Sequence, residues 1–231
     1  MSGRAGGGVS GGDGAGAADG WVYDPPIGPL EVVYQDRDLV VVNKPSGLLS
    51  VPGRMHPDCV VSRLKEQFGV LYPVHRLDMD TSGLFVLALR RKAERALMQQ
   101  FQERQISKTY IARVFGHPSQ TGGSIRLALS RETGRPRSRV DADGKSAQTD
   151  WHVMRLDSDG HSRLSLHPRT GRSHQLRLHL GAIGHPILGD RFYAHPQALA
   201  AADRLCLHAA VLELAHPYSG APLTFRSESD F

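Results

Sequence analysis

The sequence predicts an α+β domain built around a largely antiparallel sheet with flanking helices. Three observations carry this reading. Strand-like runs outnumber helical ones from Glu31 onward, and most of them meet through short turns. Alternating stretches such as Lys108-Thr109-Tyr110-Ile111-Ala112-Arg113-Val114 mark half-buried strands. The helical stretches carry an apolar stripe on one face, as helices packed on one side do. With 231 residues, 40% of them hydrophobic, the chain can bury a core and is expected to form about one domain.

Taken in order, residues 1–20 are a tail of Gly, Ala and Ser. Such a composition buries too little apolar surface to offset chain entropy, so disorder is expected there, with 21–231 forming the domain. Its glycines are not a phosphate loop, because no Gly-Lys-Ser/Thr ends them and no strand precedes them. Glu31–Tyr34 and Leu39–Asn43 read as strands around an Asp36-Arg37-Asp38 turn. Asn43 to Arg54, dense in Pro, Ser and Gly, reads as an ordered loop. Asp58 is expected to cap a helix over 59–68, with Val60, Val61, Leu64 and Phe68 as its stripe and Gly69 as its stop. Cys59 is read as packing rather than reactive.

Leu84–Leu89 is a short continuous apolar run, the pattern of a strand buried on both faces, and Gly83 suits a tight entry to it. Lys92–Gln105 reads as a helix with Ala93, Leu97 and Phe101 on one face. Residues 116–146 read as loop-rich. Their basic residues, Arg131, Arg135, Arg137, Arg139 and Lys145, fit either an arm along a phosphate backbone or a solvated hairpin tip. Strands are expected at Ala147–Val153 and Arg163–His167. A Thr170-Gly171 turn is expected to open a helix in which Ser173 and Arg177 share one face and Leu176 and Leu180 another. Gly184–Tyr193 is a Gly/Pro-punctuated loop. A helix near 196–202, a strand at 205–214 and an edge strand at 223–225 complete the chain.

The net charge of +5 is a mild excess that suits a polyanionic partner. Two cysteines, Cys59 and Cys206, are too few for a disulfide framework and fit a reducing cytoplasm. No apolar run approaches a membrane span and no signal layout opens the chain, so a cytoplasmic protein without membrane association is expected.

Chemistry concentrates in Tyr72-Pro73-Val74-His75-Arg76-Leu77-Asp78-Met79-Asp80-Thr81-Ser82-Gly83. From the residues alone this is either a polar turn closed by local hydrogen bonds or the mounting of one reactive carboxylate at a sheet end. A kinase loop is excluded, since Leu77 separates Arg76 from Asp78 and no Gly-rich loop after a strand or Asp-Phe-Gly accompanies it. His174, His179 and His185 invite a metal reading. His174 and His179 are five apart, off the spacing of one helical face, and no acidic ligand clusters with them, so no metal is expected.

His75-Arg76-Leu77-Asp78 followed by Thr81-Ser82-Gly83 resembles the signature of the RluA-type pseudouridine synthases. Four further stretches agree: Asn43-Lys44-Pro45-Ser46-Gly47, Lys108-x-Tyr110-x-Ala112, Thr170-Gly171-Arg172-x-His174-Gln175-Leu176-Arg177, and Gly184–Tyr193. The likeness runs from near Leu30 to the C-terminus. It lies with members that modify both tRNA and 23S rRNA and that have no separate RNA-binding domain before the catalytic one.

The resemblance implies the pseudouridine synthase fold with an RNA-binding cleft across the sheet. It implies Asp78 as the catalytic carboxylate, acting at C1′ or on the C2′ proton. Tyr110 would stack on the target uracil and take part in removing the C5 proton. Arg177 would pair with Asp78 and keep it ionised and oriented. Arg76 would fill the space of a flipped-out base, while His75, Thr81, Arg172 and His174 belong to the same motifs as substrate-binding candidates. Asp80, a second carboxylate beside the first, is read as facing solvent, because two buried like charges oppose ionisation. The reaction needs no cofactor or nucleotide, and a monomer is expected. The alternatives are a synthase for a single rRNA or tRNA site, a catalytically silent RNA-binding protein, and a nucleoside glycosidase that releases uracil.

Overall fold

The computed structural model describes residues 22–231, so the expectation for the tail of residues 1–20 lies outside the described residues. In chain order the elements are β1 (Glu31–Gln35), β2 (Leu39–Lys44), α1 (Val60–Phe68), β3 (Tyr72–Pro73), β4 (Ser82–Ala88), α2 (Arg91–Gln102) and β5 (Ser107–Phe115). These are followed by β6 (Gly122–Arg126), β7 (Leu129–Arg131), β8 (Ser138–Val140), β9 (Gln148–Leu156), β10 (His161–Pro168), α3 (Gln175–Ala182), α4 (Pro196–Ala200), β11 (Leu207–Ala215) and β12 (Pro222–Arg226).

One sheet of ten strands organises the fold, in the order β1-β2-β4-β11-β5-β10-β9-β6, with β3 beside β4 and β12 beside β11. Every pairing in it is antiparallel except β4 with β11, where Ser82 lies opposite His208 and Gly83 opposite Ala209. This is the expected α+β architecture. All seven residues of β4 are buried, as a continuous apolar run requires when both faces are covered. Gly83 has φ 109°, and a Cβ there would collide with the backbone of Ala209, so only glycine permits this close approach.

The two sheet faces carry separate packing. Val40, Val42, Phe85 and Leu87 point to one side with Leu48, Val60 and Leu64, under α1. Val41, Leu84, Val86 and Ala88 point to the other with Ala93 and Leu97 of α2. In the other half, Leu164, Leu166, Leu176, Leu180 and Ile187 close the core beneath α3. Each fully buried leucine, isoleucine or phenylalanine contributes about 1.5–3 kcal/mol.

Several local expectations are corrected. Cys59, not Asp58, caps α1. Its Sγ accepts from the Ser62 backbone N–H, the Ser62 hydroxyl returns to the Cys59 backbone N–H, and Asp58 instead pairs with Arg63 at 2.7 Å. The thiol thus does more than pack. Residues 116–146 hold three short strands, and β7 and β8 pair as a hairpin that carries Arg131, Arg135, Arg137 and Arg139, with Lys145 beyond it. The helix after Thr170-Gly171 begins only at Gln175, because His174 adopts the left-handed conformation (φ 56°, ψ 21°), so Ser173 is not on its face.

Candidate active site

A cleft of about 660 Å³ opens where β4 and β5 flank β11. It is lined from the first motif by His75, Arg76, Asp78 and Thr81, from β5 by Tyr110, and from the α3 entry by Arg172, His174 and Arg177. All eight expected site residues therefore reach one cavity. They do not contribute in the same way.

The loop bearing Asp78 is clamped by the Lys44–Ser50 loop. The Lys44 ammonium, fully buried, donates to the carbonyls of Pro45, Leu48 and Met79 at 2.7–2.8 Å. Burial pulls its pKa down to about 7, against the opposing pull of Asp80 and then Asp78. Ser50 Oγ donates to the Leu77 carbonyl and accepts the Leu77 N–H, at 2.8 and 3.0 Å, while Ser46 Oγ donates to the Asp80 carbonyl. Gly47 N–H reaches the Met79 carbonyl, and Thr81 N–H closes the turn onto the Asp78 carbonyl. The backbone on either side of Asp78 is thus fixed while its carboxylate stays about one quarter exposed to the cleft.

Arg177 projects from α3 and is 2% exposed. Its Nε and Nη2 donate to both oxygens of Asp190 at 2.8 and 2.6 Å, and its Nη1 stands 3.6 Å from Asp78 Oδ2. Burial works against the guanidinium charge, but the Asp190 hydrogen bonds, with Asp78 and Asp80 adding to them, outweigh it and raise the pKa. Asp190 is held in turn by the backbone N–H groups of Phe192 and Tyr193. Gly189 makes this possible: at φ 71° its missing side chain lies against the Arg204 carbonyl, where no Cβ fits. The Gly184–Tyr193 segment therefore backs the site, holding Arg177 through Asp190, and is not merely a connecting loop.

His174 sits between the two halves. Its Nδ1 meets the Tyr193 hydroxyl at 2.6 Å, its Nε2 lies 3.9 Å from Asp78, and its ring stacks on Phe192. Burial lowers its pKa against the pull of Asp78, which favours a neutral ring. Tyr110 is on the cleft face of β5, with its pKa raised by burial and then by the nearby Asp78, so the phenol holds its proton. Arg76 is exposed at the mouth. Arg172 is also exposed and donates from Nε to the Ser146 carbonyl. Thr81 is buried beneath the Asp78 turn.

Two expectations change here. His75 has its Nε2 committed as acceptor to the Val86 N–H, and its ring is packed on Phe85 and Phe101; burial, with Lys108 nearby, lowers its pKa to about 3. It pins the motif to β4 more than it offers a free edge to a ligand. Asp80 does not face solvent: it pairs with Arg191 at 3.0 Å and is 18% exposed. The second carboxylate is tolerated because Arg191 and Lys44 supply the opposite charge. The histidines of the metal reading are used elsewhere, His179 with Thr149 and the Leu127 carbonyl, and His185 with the Phe115 carbonyl.

Asp190, Lys44, Ser50 and Arg191 were not singled out from the sequence. The available signal was their position inside dense Gly/Pro-punctuated stretches whose partners lie far along the chain.

The RNA pseudouridylate synthase family matches residues 38–182. The chain is 51% identical over 214 residues to the "Dual-specificity RNA pseudouridine synthase RluA" of Escherichia coli (strain K12), covering 90% of this chain and 98% of that one. It is 54% identical over 204 residues to the protein of the same description from Yersinia pestis, covering 87% and 99%. Among solved structures, human RNA Pseudouridylate Synthase Domain Containing 1 superposes with a TM-score of 0.76 at 29% identity, covering 88% of this chain and 84% of that one. Human RNA Pseudouridylate Synthase Domain Containing 4 gives 0.68 at 27%, covering 86% and 88%.

Proposed function

The chain belongs to the RNA pseudouridylate synthase family, and from that membership we propose that Asp78, Tyr110 and Arg177 carry out the isomerisation on loop uridines of tRNA and 23S rRNA. The enzyme is an RNA pseudouridine synthase, an isomerase with the pseudouridine synthase fold. The observation that carries the residue roles is the single cleft into which these three side chains converge, with the Asp78 backbone clamped on both sides.

Conversion of uridine breaks the N1–C1′ bond, turns the uracil in place and joins C5 to C1′; N1 gains a proton and C5 loses one. Atoms balance without redox or energy input. Asp78 supplies the anionic oxygen that both routes need, whether it attacks C1′ or withdraws the C2′ proton. Arg177 fixes that oxygen from one side while Asp190 fixes Arg177. Tyr110 offers a flat face for the flipped base, a contact that suits any uracil orientation during the turn. Its raised pKa supports a role as a plate and hydrogen-bond donor ahead of one as a phenolate base. Arg76, which lines the cleft and is exposed, is assigned the gap that the base leaves in the stack.

The RNA assignment rests on the close likeness to the dual-specificity relatives over nearly their whole length. The first RNA is the tRNA anticodon stem-loop, and the second a similar loop of 23S rRNA. The test incubates the purified chain with a minimal anticodon stem-loop and with a matching 23S rRNA fragment. Pseudouridine in both is the expected result. Conversion of only one, or of another rRNA helix alone, would overturn the dual assignment, and release of free uracil would overturn the reaction.

A further inference from the structure

Beside the catalytic cleft runs a second groove of about 720 Å³. The two share Phe101, Lys108, Pro168, Thr170, Gly171 and Arg172, so they adjoin along this wall. Among the described residues no carboxylate lines the groove, while Arg104, Lys108, Arg169 and Arg172 do. Two of these cations are already engaged, Arg169 with Asp150 at 2.7 Å and Arg172 with the Ser146 carbonyl. Lys108 is different. Its side chain is half-buried and lines both cavities, and among the described residues its ammonium makes no hydrogen bond or ion pair; it stands 5.7 Å from the centroid of the Phe101 ring.

An ammonium in a cleft wall with no anion beside it is a ready seat for one, because a charge-assisted hydrogen bond to a phosphate is among the stronger polar contacts. The position of Lys108 says which ligand. It lies two residues before Tyr110 on the same face of β5, about 6.6 Å along the strand. That is of the order of one nucleotide from a base stacked on Tyr110. On the far side the loop presents Gly171, where even a Cβ would stand 4.0 Å from the Lys108 Nζ, so backbone can approach the ammonium there.

We propose that Lys108 binds the RNA backbone phosphate adjoining the target uridine, and that the strand leaves the catalytic cleft along the groove of Arg104, His167, Arg169 and Arg172. This rests on the synthase reading above and adds a binding subsite to it. Burial lowers the Lys108 pKa, and an arriving phosphate would draw it back up.

The test uses the full chain with the anticodon stem-loop, in wild type, Lys108→Met and Lys108→Arg. Lys108→Met should weaken binding roughly tenfold or more, as loss of one charge-assisted contact does. The slope of log affinity against log salt should shrink by about 0.7, the value for one phosphate of a single strand. Lys108→Arg should recover most of the affinity. A series of stem-loops with one neutral methylphosphonate each locates the contact: one linkage beside the target uridine should weaken wild type and leave Lys108→Met unaffected. Unchanged affinity and salt slope with a reduced maximal rate would overturn the proposal, as would losses that simply add at every linkage. If Lys108→Met does not fold, the methylphosphonate series on wild type still decides, since no sensitive linkage beside the uridine refutes the contact. Binding is read without turnover, so failure of the synthase reading shows separately, as wild type that binds and does not convert.

Discussion

Arg177 gives both of its short hydrogen bonds to Asp190, at 2.8 and 2.6 Å, and stands 3.6 Å from Asp78. The arginine is therefore set by the buried carboxylate behind it and presented to the one in front. Asp190→Asn keeps the shape but weakens the fork. We expect the maximal rate to fall on the order of a hundredfold, as a small misplacement of a catalytic group does, with RNA binding retained. Asp190→Ala should in addition destabilise by about 3–5 kcal/mol, because it strands a buried guanidinium. The double change Arg177→Met with Asp190→Leu should regain stability without activity. Thermal melts and single-turnover rates check all three, and a wild-type rate in Asp190→Asn would refute the positioning role.

Asp78 itself makes no short side-chain hydrogen bond among the described residues, and the loop around it is held through the backbone of Leu77, Met79 and Asp80. Asp78→Asn should thus leave the fold and RNA affinity intact and abolish pseudouridine formation. Comparable turnover by the variant would remove Asp78 from the mechanism.

Tyr110 separates two functions. If its ring is a stacking plate, Tyr110→Phe binds RNA close to wild type, whereas Tyr110→Ala loses about 1–3 kcal/mol of binding. Any rate defect in Tyr110→Phe then isolates the hydroxyl. Equal binding by all three proteins in a direct titration would deny the stack.

Acid should destabilise the fold through two histidines. Burial lowers His75 to about 3 and His208 to about 4, from 6.5. As pH falls below 6.5 the unfolded chain takes up protons that the folded chain refuses, so stability is full above 6.5 and lost progressively toward pH 3. His75→Gln keeps an acceptor for the Val86 N–H and cannot titrate, so its melting temperature should fall less steeply between pH 6.5 and 3. An identical slope in the variant would exclude His75 as a source.

The sheet was legible in the sequence because its strands carry period-two or continuous apolar patterns, and β4 shows the latter over its whole length. The first motif was legible because its functional groups are adjacent in sequence. What escaped was whatever depends on a distant partner. Asp190 could not be matched to Arg177, 13 residues away across a loop, without the backbone path that Gly189 permits. Lys44 stands in one of the agreeing stretches, but its part in the site shows only in its three carbonyl acceptors, one of them 35 residues on. Asp80 looked solvent-facing because Arg191, its counter-charge, is 111 residues distant. The Cys59 cap was missed because aspartate is the usual capping residue and sat next to it.

The insertion of β11 between β4 and β5 bears on the enzyme's manufacture. Asp78 precedes β4 and Tyr110 lies on β5, yet neither strand pairs with the other; each is spaced by β11, and β4 meets it at the Gly83–Ala209 approach, 126 residues away in the chain. Asp78, Tyr110 and Arg177 all precede β11 in the chain, so a ribosome delivers these residues before the strand that spaces β4 from β5. Setting Asp78 and Tyr110 at working distance therefore depends on contacts of long sequence range, which are slow to close.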